Sequence, residues 1–249
     1  MTKWIFKIFH RMGFEVVRTG KRSIPSDFGH LHRNIYAKVR DDTMTSPERI
    51  FSLIEAVQYI QKNSIPGAIV ECGVWKGGSM MAVAETLLSL GDGSRELYLY
   101  DTFGGMTAPG EEDKTWSGAS ADTLYRDAKE KNMMWCYSPI DAVREVMSRT
   151  GYPENRIRYV QGKVEDTIPG VLPDKIAILR LDTDWYESTR HELRHLFPLL
   201  QKGGVLILDD YGEWQGARKA VDEYFAQHTQ PILLNRIDST GRIAIKQIE

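Results

Sequence analysis

Four short apolar runs and one mixed run set the rhythm of the chain. They are Ala68 to Val70 closing on Glu71, Leu97 to Tyr100 closing on Asp101, Arg156 to Val160, Ile176 to Leu181, and Val205 to Leu208. Runs this short and this continuously apolar predict strands covered on both faces, as in a parallel sheet. Between them the apolar positions recur at helical spacing. Ile50, Leu53, Ile54, Val57 and Ile60 predict a helix that opens at Thr45-Ser46-Pro47-Glu48. There either Thr45 and Glu48 make a capping box, or Ser46 caps with Pro47 at the first helical position. Further helices are expected over Met80 to Leu90, near 121–131 and 139–149, over Tyr186 to Leu200, and over Trp214 to Gln227. Ile232 to Ile237 and Arg242 to Lys246, joined at Asp238-Ser239-Thr240-Gly241, read as a hairpin. The alternation predicts an α/β fold, a doubly wound and mostly parallel sheet with an antiparallel edge.

Two segments break the rhythm. Residues 1–45 hold too few apolar positions for a core of their own and read as an N-terminal arm or lid, leaving 46–249 as one domain. Within the arm, Trp4, Ile5, Ile8, Phe9 and Met12 share one helical face and Lys3, Lys7 and Arg11 another. That helix is expected to pack on its own domain or across a dimer rather than on a membrane surface. Gly104 to Ser120 is rich in glycine and acids and reads as a long loop, a form that in compact domains is usually functional or mobile.

Composition narrows the partners. A net charge of −2 lacks the basic excess that nucleic-acid binding needs. No apolar stretch approaches the roughly 18 residues of a membrane span. Cys72 and Cys136 form neither a disulfide framework nor a zinc motif, so a reducing cytosol is the expected compartment.

Acidic residues cluster where the strands end. Asp182-Thr183-Asp184 and Asp209-Asp210 each follow an apolar run, at the strand ends where open α/β sheets bind ligands. Carboxylates gathered in one crevice repel, and oxygen ligands of that kind suit a hard dication such as Mg²⁺. A plainer reading is turn chemistry, with Asp184 and Glu187 as a helix capping box. His191 and His195 read as helix-surface residues. The turn Cys72-Gly73-Val74-Trp75-Lys76-Gly77-Gly78-Ser79 is neither a P-loop nor a dinucleotide fingerprint. Glu71 before it would repel a pyrophosphate and suit a cationic ligand end, while Asp101 is placed to accept ribose hydroxyls. S-adenosylmethionine satisfies both, although the turn could simply pack helix on strand.

Glu71-Cys72-Gly73-Val74-Trp75-Lys76-Gly77-Gly78-Ser79, Tyr100-Asp101-Thr102-Phe103-Gly104-Gly105-Met106, Leu181-Asp182-Thr183-Asp184-Trp185-Tyr186-Glu187-Ser188-Thr189 and Asp209-Asp210-Tyr211-Gly212 together resemble the macrocin O-methyltransferase family, over about residues 40–230. These are bacterial sugar O-methyltransferases that depend on S-adenosylmethionine and Mg²⁺. The resemblance implies a class I methyltransferase (Rossmann-like) fold with seven strands and a final antiparallel hairpin, a homodimer, and an N-terminal segment over the active site. It implies Asp182, Asp209 and Asp210 as metal ligands and Asp184 as general base. Glu71, Gly73, Ser79 and Asp101 would hold the methionine and ribose ends of the cofactor, with Thr102 and Phe103 bordering ribose and adenine. Lys163 and Val164 would line the adenine, and Met44 and Thr45 would close over the cofactor. The acceptor would be a sugar hydroxyl. Two competing readings are a metal-dependent hydrolase using the same carboxylates and a non-enzymatic carbohydrate-binding domain.

Overall fold

The structure, a computed structural model, describes residues 24–130, 135–227 and 232–248. The amphipathic segment Trp4 to Met12 lies outside them. Five parallel strands form the sheet's body: β1 Ala68–Cys72, β2 Leu97–Asp101, β3 Ile157–Gln161, β4 Ile176–Leu181 and β5 Leu200–Leu208. β6 Asn235–Arg236 and β7 Arg242–Ile245 close one edge, giving the order β3-β2-β1-β4-β5-β7-β6 with β7 antiparallel to β5. The strand order reverses between β1 and β4, which opens a crevice at their carboxyl ends.

The helices are α1 His30–Val39, α2 Pro47–Lys62, α3 Gly78–Ser89, α4 Ala121–Glu130, α5 Ile140–Ser148, α6 Val164–Thr167, α7 Tyr186–Leu196 and α8 Gln215–Gln227. Side chains alternate across the sheet. Ile69, Leu97, Leu99, Ile178, Val205 and Ile207 pack with α1, α2, α3 and α5 on one face. Val70, Cys72, Tyr98, Leu179, Leu206 and Leu208 pack with α7 and α8 on the other. No helix among the described residues is long and apolar enough to cross a membrane.

The structure adds one element to the pattern-based expectation and settles one alternative within it. The polar stretch of the arm contains α1, whose Ile35, Tyr36 and Val39 join Phe28 in the first core. With three buried positions in ten residues and no side-chain cap at Gly29, its periodicity is faint in sequence. The α2 start follows the second of the two capping patterns: the Arg49 amide donates to Ser46 Oγ, with Pro47 in the first turn.

Candidate active site

Strand alternation lays a row of charge along one edge. Glu71 pairs with Arg180 in register across β1 and β4, and both side chains belong to the face packed on α1–α3. Two residues beyond Arg180 comes Asp182, and two beyond Ile207 comes Asp209, on the same face. Arg180, almost fully buried, binds three of these carboxylates: Glu71 at 2.5 Å, Asp182 at 2.7 Å and Asp209 at 2.5 Å. Arg49, from the first turn of α2, pairs with the other oxygen of Asp209 and with Asp238 of the terminal hairpin. Thus Asp209 is clamped between two guanidiniums and also accepts from Thr45 Oγ1 at 3.3 Å. Neither arginine stands out in the sequence, because an Arg inside an apolar strand names no partner until the strand order is known.

Asp182, Asp209 and Asp210 each present an oxygen, all within 4.8 Å of one another. Asp184 stands beside them in a left-handed conformation with φ 66°, which a non-glycine side chain adopts only when its surroundings hold it there. Its amide donates to Asp210 Oδ2 at 3.2 Å, and the Asp184 and Asp210 carboxyls share a hydrogen bond. Burial, followed by the charge of Asp182, pushes the Asp184 carboxyl well above the usual range. Polar contact with Asp210 and with the nearby Trp214 indole opposes that rise. The capping-box reading of Asp184 does not hold: α7 begins after Trp185, and its Tyr186 amide donates instead to Asp113 Oδ1 at 2.8 Å.

Asp113 is buried in the long loop over 104–120 and fixes it. Its other oxygen accepts from the Gly110 amide, and Gly216 on α8 leaves it room, since a Cβ there would collide with the carboxylate. Backbone bonds from Trp116 to Glu213 and from Gln215 to Lys114 pin the same loop to the start of α8.

The glycine turn differs in detail from its expected role. Gly73, with φ 85°, lies so close to β4 that a Cβ would collide with the Asp182 carbonyl, so the neighbouring strand end by itself requires glycine here. Asp101 Oδ2 accepts from the amides of Val74 at 2.7 Å and Trp75 at 2.9 Å, and Oδ1 from Phe103 at 2.7 Å. The carboxylate holds the turn itself, with lone pairs left over for a ligand.

A cavity of about 310 Å³ gathers most of the expected residues. Met44, Thr45, Gly73, Ser79, Asp101, Thr102, Lys163, Val164, Asp182, Asp184, Asp209 and Asp210 all line it. Glu71 and Phe103 stand behind that wall. Glu71 is fully buried, with Oε2 lacking any partner, and Phe103 belongs to the hydrophobic core. Burial pushes Glu71 up to about 8 against the opposing charge of Arg180. Arg49 and Trp135 also form part of the lining from outside every motif, and Met106 and Trp185 do so from within two motifs that gave them no role. The tryptophans lie too far apart in the chain to signal a cluster.

Comparison with known proteins decides between the readings. Residues 35–245 match the model of the macrocin O-methyltransferase (TylF) family. The chain belongs to that family. The 8-demethyl-8-(2,3-dimethoxy-alpha-L-rhamnosyl)-tetracenomycin-C 4'-O-methyltransferase of Streptomyces olivaceus is 33% identical over 201 residues, 80% of this chain and 73% of the relative. The demethyldecarbamoylnovobiocin O-methyltransferase of Streptomyces niveus is 31% identical over 224 residues, 86% and 83% of the two chains. Among solved structures, the O-methyltransferase NovP superposes with a TM-score of 0.73 at 29% identity, covering 83% of this chain and 82% of that one. The class I methyltransferase fold is therefore established. Membership of the macrocin O-methyltransferase family makes the chain an S-adenosylmethionine-dependent O-methyltransferase and sets aside the hydrolase and binding-domain readings.

Proposed function

We propose that this macrocin-family enzyme methylates a sugar hydroxyl of a glycosylated small molecule or glycan, with Mg²⁺ held by Asp182, Asp209 and Asp210 and with Asp184 as general base. The observation that carries the reading is the convergence of the β1, β2, β4 and β5 ends on one cavity, with Asp184 beside three metal-type carboxylates. The names of the relatives support a sugar-bearing acceptor, one of them a rhamnosyl tetracenomycin and another mycinamicin III.

The donor set fits a small hard cation: three carboxylate oxygens are already close, and carboxylates are its preferred protein ligands. Asp209 would contribute while still held by Arg49 and Arg180. When bound, Mg²⁺ supplies Lewis-acid stabilisation of the negative charge that develops on the acceptor oxygen. This chain's residues do the rest. Asp184 takes the hydroxyl proton on its carboxylate, whose aim is set by the Trp214 indole and by Asp210. Gly73, Ser79, Asp101 and Thr102 would border the methionine and ribose ends of S-adenosylmethionine, and Lys163 and Val164 its adenine. Met44 and Thr45 close that side of the cavity. Glu71 acts from behind the wall, where its unpartnered oxygen is free to accept from the cofactor's ammonium once local side chains adjust.

The test follows a radiolabelled methyl group from S-adenosylmethionine to a panel of glycosides. Turnover is expected to collapse in EDTA and to return with added Mg²⁺. Full activity in EDTA would remove the metal from the mechanism.

Asp101 yields a second expected result. Asp101→Ala removes three bonds from backbone amides to a charged acceptor, each worth about 1.5–3 kcal/mol in gross terms. Affinity for S-adenosylhomocysteine should fall by a factor of roughly tens. Water in the cavity that Val74 and Trp75 line can take over most of the freed amides, so the net loss should be about 2 kcal/mol and the melting temperature should fall by roughly 4–8 °C. Calorimetry with unchanged affinity and unchanged melting would show that the turn does not depend on Asp101.

A further inference from the structure

Three tryptophans that the catalytic scheme only partly uses meet beside the cavity, and two of them, Trp135 and Trp185, line it. Trp185 and Trp214 are buried and stand edge-to-face, with centroids 5.0 Å apart. Trp135 leans on both, at 6.1 Å and 6.2 Å, but is only partly buried. The Trp185 N–H donates to the Thr107 carbonyl at 3.1 Å, and the Trp214 indole lies near Asp184. Trp135 has its carbonyl bound by the Met106 amide at 3.0 Å, which fixes its backbone, and the residue forms part of the cavity lining. The next residue, Cys136, lines the same cavity as Asp101, Asp182 and Asp184. Neighbouring lining residues Met106, Thr107 and Trp185 carry no charge.

A wall of this kind asks for a ligand that is apolar on one face and polar at its rim. A pyranose ring has that character. Its axial C–H bonds carry partial positive charge and match the electron-rich face of an indole, while its hydroxyls point outward toward acids and backbone. Resting on the sugar O-methyltransferase reading above, we propose that Trp135 is the stacking platform of the acceptor site: one face of the acceptor's pyranose ring lies on the Trp135 indole, and this orients a ring hydroxyl toward Asp184. The Trp185–Trp214 pair acts as its rigid backing, so the platform and the base share one support through Trp214.

The test uses protein loaded with S-adenosylhomocysteine and Mg²⁺, with methyl α-L-rhamnopyranoside and methyl β-D-glucopyranoside as probes in saturation-transfer NMR. Wild-type protein should bind at least one probe, with the strongest transfer to the ring protons of a single face. Trp135→Ala should weaken that probe at least about tenfold while changing S-adenosylhomocysteine affinity less than twofold. Trp135→Phe, which keeps an aromatic face and decides the matter if the Ala variant fails to fold, should weaken the probe about two- to threefold with cofactor affinity again intact. Unchanged probe affinity in either variant, equal loss of both ligands, or no saccharide binding by wild-type protein that does bind S-adenosylhomocysteine would each overturn the platform and leave the methyltransferase standing. Failure of wild-type protein to bind S-adenosylhomocysteine would overturn the platform together with the functional reading beneath it.

Discussion

Asp184→Asn should lower the rate of methyl transfer by roughly 10²–10⁴-fold, the usual worth of a positioned general base. The substitution keeps the shape of the side chain and leaves the bond from the residue's own amide to Asp210 Oδ2 in place. Asp184 is not the α7 cap, so its removal takes no bond from the helix terminus, which Asp113 satisfies. Melting temperature should therefore move little. A pH profile separates the base from a merely structural carboxylate. Burial raises the folded-state pKa of Asp184, and the base works only when deprotonated, so the wild-type rate rises with pH across an acid limb. The Asn variant should lack that limb and recover some activity at high pH, where hydroxide can take the proton. Near-wild-type turnover in Asp184→Asn would transfer the role of base to another group.

Arg180→Met should produce the largest loss of stability of any single change near the site. The substitution roughly keeps the volume and removes the charge that faces Glu71, Asp182 and Asp209, two of which are buried. Removing one partner of a buried ion pair costs about 3–5 kcal/mol, because the remaining charge stays out of water. In a domain of this size that is a fall of roughly 10 °C or more in melting temperature. The sign with pH follows from Glu71. Burial already raises its folded-state pKa to about 8, and without Arg180 it rises further. A carboxyl whose folded pKa exceeds its unfolded value stabilises the fold at low pH and loses that contribution as pH rises. The deficit of Arg180→Met against wild type should thus shrink as pH falls. Glu71→Gln in the same background should recover part of it at neutral pH. A variant that melts like wild type would show that Arg49 alone balances the cluster.

The parts of this molecule that are legible in sequence share one property: they depend on neighbours in the chain. The apolar runs and the acids that end them locate β1, β2, β4, β5 and the cavity, because a strand's polarity pattern and its terminal residues are local. What stays hidden depends on which distant segments meet. Arg180 looks like an oddity within β4 until β1 is placed beside it. The cap of α7 comes from Asp113 in another loop, so the local Asp184-to-Glu187 pattern points to the wrong residue. Asp101, expected to face a ribose, is largely engaged by the turn that β1 leads into, because the backbone amides of Val74 and Trp75 curl back onto it. Trp135, Trp185 and Trp214 come together only through the loops after β2, β4 and β5.

The Asp113 anchor bears on how this enzyme could be re-engineered. The acidic side of the site is built on strand ends, whereas the neutral side is carried by connecting segments, so the two can be exchanged separately in principle. A transplant of residues 104–120 from a relative would succeed only as a matched set. It must bring an acid able to reach the Tyr186 amide, and the recipient must keep a residue without a Cβ at position 216. A donor loop without that acid would leave the first turn of α7 uncapped, one residue from Trp185 and two from Asp184, and a swap intended to change the substrate would disturb the proton acceptor as well.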